Sequence, residues 1–127
     1  MTLDEIAARE ALRTGRTGRG FSLVRIAPSG WLALDGEMDV LMNLAEAHLR
    51  KTDFVVRVRR HEVGAVLPET TGADAALAVA RLRPAIQLPK LEVRIGWASV
   101  LPGQDWEEAW RWAGHLLVAD AAIPAAA

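Results

Sequence analysis

The chain has 127 residues, 51% hydrophobic and 24% charged, with a formal net charge of −1, which bounds it to one ordinary globular domain. A charge this near zero gives no global field to draw in nucleic acid or an anionic membrane, and the absence of cysteine excludes disulfides and thiolate chemistry. No run approaches the roughly 20 apolar residues that span a bilayer, and the opening MTLDEIAARE carries acids early and lacks the apolar stretch of a signal peptide.

Residues 2–13 read as a short helix with Leu3, Ile6 and Ala7 on one side. Thr14 to Gly20, TGRTGRG, reads as a mobile linker. Its Arg16 and Arg19 resemble a phosphate cradle only superficially, because no Gly-Lys-Ser/Thr follows and no helix is expected to start there. Phe21–Ala27 reads as a strand ended by Pro28-Ser29-Gly30, and Trp31 to Leu34 as a short apolar turn packed on the core. From about Glu37 to Leu49, the residues Met38, Leu41, Met42, Ala45 and Leu49 fall at helical spacing, with Asp35 as the cap.

Two β-rich runs, Phe54–Val58 and Val63–Leu67, flank the charged turn Arg59-Arg60-His61-Glu62, where hairpins usually place Gly or Asn for positive φ. Thr71-Gly72-Ala73-Asp74 reads as a capping box opening a helix with Ala75, Val79 and Leu82 inward and Pro84 at its end. Leu91, Val93, Ile95 and Trp97 alternate with Glu92 and Arg94 as a strand. Pro102-Gly103 turns the chain, and Asp105 caps a last helix with Glu107 and Glu108 in its first turn. Trp106, Trp110, Ala113 and Leu117 make that helix's apolar stripe, and the end, AAIPAAA, is expected to fray. This order predicts an α+β domain, a ferredoxin-like palm in which helices pack on a central antiparallel sheet.

The stretch Arg57 to Thr70, RVRRHEVGAVLPET, resembles the signature hairpin of the GGDEF, or diguanylate cyclase, family. There Arg-Tyr-Gly-Gly-Asp-Glu-Phe is followed by apolar residues and a Leu-Pro-x-Thr end. Arg57, Glu62, Leu67, Pro68 and Thr70 keep that frame. Phe21-Ser22-Leu23-Val24 is similar to the family's first strand, and Val40-Leu41 with Leu44-Ala45 to its Val-Leu-x-x-Val-Ala helix. Arg50-Lys51-Thr52-Asp53 stands where the family has Arg-x-x-Asp. The Ala-rich helix ending Ala80-Arg81-Leu82-Arg83 follows, and Val93-Arg94-Ile95-Gly96-Trp97-Ala98 resembles the family's Val-Ser-Ile-Gly-Val-Ala strand. The resemblance implies a GGDEF-like domain over residues 21–119, after an N-terminal helix and linker at 1–20 and before a flexible tail at 120–127.

The departures gather where the family's chemistry lies. The cyclase joins two GTP molecules by phosphoryl transfer, and its divalent metals need carboxylates from the first strand and the hairpin. Here the first strand ends Arg25-Ile26-Ala27-Pro28, with an arginine that would repel the ion, and Arg59, Arg60 and His61 replace most of the signature turn. Of the turn acids only Glu62 remains. The guanine-reading Asn and Asp are missing, and the closing Ala-Asp-x-Ala-Leu-Tyr-x-Ala-Lys is worn to Ala113-Gly114 and Leu117-Val118. The expectation is a domain that is no longer an enzyme, with neither cofactor nor metal.

The family's inhibitory product site is spared. It implies that Arg50 and Asp53, helped by Arg81, bind cyclic di-GMP. Arginine can fork onto phosphate or guanine, and aspartate can accept from a guanine edge. The chain is thus expected to be a cytoplasmic, bacterial second-messenger receptor; the alternative is an interaction or scaffold domain, homo-oligomeric or with a protein partner, that has lost nucleotide binding. Read without the resemblance, Arg50 could simply favour a helix C-terminus and Asp53 cap a strand. Arg57, Arg59, Arg60 and Arg50 make a basic edge. His61, Glu62 and His48 are expected to be solvated rather than metal ligands, and Trp112, off the last helix's stripe, partly covered rather than a partner-facing patch.

Overall fold

The structure, a computed structural model, describes residues 1–29 and 34–125. Of the turn expected at Trp31–Leu34, all but Leu34 lies outside the described residues. The elements are α1 (Leu3–Thr17), β1 (Phe21–Pro28), α2 (Asp35–His48), β2 (Phe54–Arg59), β3 (Glu62–Pro68), α3 (Gly72–Leu82), β4 (Val93–Val100) and α4 (Trp106–Ala119). The sheet order is β2-β3-β1-β4, with every neighbouring pair antiparallel. A helix returns the chain between β1 and β2, and another between β3 and β4. This doubly split βαβ arrangement is the palm expected from the sequence.

Side-chain alternation sorts β1 between two cores. Val24 and Ile26 face Met38, Leu41 and Ala45 of α2 and Val79 and Leu82 of α3. Phe21 and Leu23 face Leu3, Ile6 and Ala7 of α1, with Trp106 and Trp110 of α4 packed alongside. Helices therefore cover both faces of the sheet. Each fully buried Val, Leu, Ile, Phe or Met side chain among them is worth about 1.5–3 kcal/mol of transfer free energy.

Several local expectations are corrected. The predicted linker at Thr14–Gly20 is largely helix: α1 runs to Thr17 and ends on Gly18 in the left-handed region, φ 74°. The buried Thr14 and this glycine cap outweigh the roughly 1 kcal/mol that Gly15 costs inside a helix. Gly20 is not mobile either, since a Cβ there would lie 2.4 Å from the Val100 carbonyl oxygen. Asp35 is the first residue of α2 and Leu34 its cap, with the Leu34 N–H donating to Glu37 Oε1 at 2.8 Å. Thr71 precedes α3 but makes no side-chain cap bond, so the predicted capping box does not form. Asp105 caps α4 as expected, accepting from the Glu107 N–H at 3.0 Å.

The segment after α4, expected to fray, is clasped instead. Ile123 is buried and exchanges both backbone bonds with Val93, at 2.7 and 3.1 Å. Asp120 accepts from the Ile95 N–H at 2.9 Å and from Arg83 Nη1 at 3.1 Å. Burial pushes its carboxyl up, but the bonds from Arg83 and Ile95 and the charges of Arg83 and Arg94 outweigh burial and hold it below the usual aspartate range. A depressed acid stabilises the fold above its unfolded pKa, about 3.9, and that contribution is lost as pH falls through the folded value. Asp120→Asn is therefore expected to lower stability at neutral pH, with the gap to wild type closing below about pH 4. Urea unfolding across that range checks it, and a gap that stays constant would contradict it.

Candidate functional site

The hairpin closes on the pair Arg59↔Glu62 around Arg60-His61, with a register shift between Arg57 and Arg59. Among the described residues, only Glu69 and Lys90 are non-glycines with positive φ. The turn therefore does not use the glycine conformation, and the bulge beside it supplies extra twist. Arg57 Nη2 donates to Asp35 Oδ1 at 2.8 Å and to the Arg60 carbonyl at 2.7 Å, tying the turn to the start of α2. That bond and the Arg57 charge hold the Asp35 carboxyl below its usual range. Arg59, ending the edge strand, and Arg60, in the turn, are both exposed, as a charged edge would be.

Glu62 is not the solvated turn residue expected from the sequence. It is buried, its Oε2 accepting from Arg25 Nε at 2.7 Å and its Oε1 from Arg25 Nη2 at 3.0 Å. The Arg25 guanidinium lies 4.4 Å from the Trp110 ring centroid, and its Nη1 donates to the Trp110 carbonyl at 3.0 Å. Gly114 makes room for it, since a Cβ there would fall 2.6 Å from Arg25 Nη1. The last helix is thus laid over a forked ion pair joining β1 to β3. A divalent cation needs carboxylate oxygens free to coordinate. Both oxygens of Glu62 are engaged by the guanidinium, and β1 offers no carboxylate. This donor set does not fit a divalent metal.

The three predicted ligand residues do meet. Arg50 and Asp53 lie between α2 and β2, and Arg81 in the last turn of α3. All three line one cleft of about 440 Å³, along with Glu69, Thr70 and Asp74. Asp53 Oδ2 accepts from the Arg50 N–H at 2.8 Å, and its Oδ1 from Arg50 Nη2 at 3.2 Å. Arg50 Nη2 also donates to the Pro68 carbonyl at 3.1 Å and to Thr70 Oγ1. The Asp53 side chain is 3% exposed and that of Arg50 58%, so Asp53 holds and orients while Arg50 presents itself to solvent. Arg81 is exposed and forms no ion pair among the described residues. Glu69, on the rim, pairs with Arg13 at 3.4 Å and Arg19 at 3.6 Å.

The expected basic edge is accordingly divided, with Arg50 committed to this cleft and Arg57 to Asp35. His48 lines the cleft, its Nδ1 2.8 Å from the Leu44 carbonyl. Trp112, expected to be partly covered, is 59% exposed and meets His115 edge-on with centroids 6.1 Å apart. Sequence reasoning missed Arg25 and Thr70 as working partners. Thr70 was in view as the end of the Leu-Pro-x-Thr frame, and Arg25 as a lone charge inside an apolar strand. Among the described residues, no helix is long and apolar enough to cross a membrane.

No protein-family model matches the chain, and no curated protein does. Solved structures do. The diguanylate cyclase SiaD from Pseudomonas aeruginosa, solved with its activator SiaC, superposes at a TM-score of 0.81 and 18% identity over 91% of this chain. The chain spans about half of SiaD, 51% of its length. The FimX GGDEF domain from the same organism gives 0.81 and 13% identity, covering 91% of this chain and 83% of that one. The GGDEF domain of DgcB from Caulobacter crescentus, solved in complex with c-di-GMP, gives 0.71 and 15%, covering 91% and 80%. With this strand order and these neighbours, the chain has the fold of GGDEF domains.

Proposed function

We propose that this chain is a catalytically inactive GGDEF-like signalling domain, at residues 21–119, that receives cyclic di-GMP in the cytoplasm through Arg50, Asp53 and Arg81. The observation that carries the reading is the convergence of an oriented Arg50 and a free Arg81 on one cleft. Asp53, Pro68 and Thr70 fix the Arg50 guanidinium before any ligand arrives, which reduces the entropy lost on binding. Two arginines suit a ligand whose phosphates and guanine O6/N7 edges all accept hydrogen bonds. The DgcB neighbour, solved with c-di-GMP, lends the ligand chemical plausibility. The burial of Glu62 against Arg25 supports the loss of catalysis.

Titration calorimetry with cyclic di-GMP is expected to show binding at about 50 µM or tighter. Each charge-assisted bond contributes about 1.5–3 kcal/mol, so Arg50→Ala is expected to weaken binding by about 10- to 100-fold. No heat with folded wild-type protein would sink the receptor reading, and an unchanged affinity in Arg50→Ala would move the site elsewhere. Product from GTP and Mg²⁺ would refute the loss of catalysis. A second reading, an interaction domain without nucleotide binding, is favoured by the exposure of Trp112.

A further inference from the structure

β4 forms one edge of the sheet. Its outward backbone groups belong to odd-numbered residues: Val93 exchanges bonds with Ile123, and the Ile95 N–H goes to Asp120. Just past the strand, the Leu101 N–H goes to Gln104 Oε1 at 2.9 Å. The chain thus caps this edge at both ends with its own groups. Between the caps, the outward N–H and C=O of Trp97 and Ser99 have no protein partner among the described residues. An unpaired rung of this kind is a template for another strand.

The helix beside this edge is also unfinished. A hollow of about 760 Å³ lies against it, lined by Ala98, Ser99, Glu108, Arg111, Trp112 and His115 among others. Trp112 and, one turn on, Leu116 of α4 are exposed. Exposed aromatic and aliphatic side chains grouped beside polar ones mark an interaction surface.

We propose that this side of the domain binds a second copy of the chain about a two-fold axis passing beside Ala98. Antiparallel pairing of the two β4 edges sets Trp97 against the partner's Ser99, and each such pair exchanges two backbone bonds. The outward groups of Trp97 and Ser99 are then used, with only a methyl side chain at the axis. Ala98 and Trp112 line the same hollow, so the axis also brings the two α4 helices together, antiparallel, near Trp112.

Charge selects a second copy over an unrelated strand. Asp105, Glu107 and Glu108 sit at the start of α4, and Arg111 and His115 further along it. Antiparallel self-pairing sets the acids of one helix against the bases of the other, twice over, and such an isologous contact closes at two copies. The Arg50 cleft lies on other elements, so this inference does not rest on nucleotide binding.

Sedimentation velocity from about 1 to 200 µM tests it, a range suited to a modest interface. The mass is expected to rise from 13.8 kDa toward twice that value. Trp112→Glu, at an exposed position that leaves the fold intact by circular dichroism, is expected to weaken dimerisation at least about tenfold. Glu108→Lys should weaken it as well, and adding His115→Glu should restore it. A mass of 13.8 kDa throughout overturns the proposal, as does a Trp112→Glu variant that dimerises like wild type. Failure of the charge swap to restore pairing overturns the two-fold arrangement.

Discussion

Glu62→Ala is expected to cost about 3–5 kcal/mol of folding stability, because it leaves the Arg25 guanidinium buried beside α4 without its counter-charge. The side chains are only 11% and 9% exposed, and the shorter of the two bonds is 2.7 Å. Trp110 offers Arg25 one carbonyl and an aromatic face, which together do not replace a carboxylate fork. Arg25→Met alone should also destabilise, by stranding Glu62. The double variant Arg25→Met/Glu62→Leu is expected to fall within about 1 kcal/mol of wild type, or above it, since two apolar residues avoid the desolvation penalty altogether. Urea unfolding of wild type, Arg25→Met, Glu62→Leu and the double variant gives the coupling energy directly. A Glu62→Ala cost below about 1 kcal/mol would mean that the pair is open to solvent and screened. If the coupling is large, Glu62 has a structural reason to stand at the start of β3 that needs no metal.

The same pair shows where sequence reasoning stops. Arg25 stands out in Leu23-Val24-Arg25-Ile26, but its partner is 37 residues away. Their contact depends on the register of β1 against β3, which sets Arg25 opposite Gly64 and diagonal to Glu62. Nothing local in either strand specifies that register, so from the sequence Arg25 reads only as a lone charge in an apolar strand. Arg50 and Asp53 are the opposite case. Three residues apart, they close a turn that any nearby geometry would favour, and the resemblance then adds Arg81. What the sequence could not supply is the division of labour between them. Asp53 is drawn inward by the Arg50 N–H and guanidinium, while Arg50 is left facing the cleft.

The strands and the amphipathic helices were legible because alternation and 3.6-residue spacing are local. The errors fell at the ends of elements. Helix α1 overran its expected stop, because Gly18 rather than Gly15 takes the left-handed cap. The tail is held because Asp120 meets Arg83 and the Ile95 N–H, contacts made only after α4 has packed. Each such end is decided by a tertiary partner that composition does not reveal.

Gly96→Ala is expected to destabilise the protein by about 3 kcal/mol or more, lowering the melting temperature by about 10 °C. Its φ is not in the left-handed region, so the glycine is needed for space rather than conformation. A Cβ at this position would lie 2.0 Å from the Ala113 carbonyl oxygen and 2.3 Å from the Leu117 nitrogen, against the roughly 3.5–4 Å of ordinary contact. Both are backbone atoms of α4, so no rotamer change relieves the overlap and the helix itself must lift. Lifting α4 would uncover Ala113 and Leu117, draw Trp110 off Arg25 and admit water to the Arg25–Glu62 pair. Gly36→Ala in α2 is the control. Its Cβ would meet nothing within 4 Å, so that change should be neutral or stabilising by up to about 1 kcal/mol. Thermal melts of the two variants separate the effects, and a Gly96→Ala protein that melts within a few degrees of wild type would show that α4 does not sit directly on β4. The glycine in this strand then has a physical meaning. It is the contact at which the last helix is seated closely enough to seal the ion pair and to carry Trp112 along the open edge of the sheet.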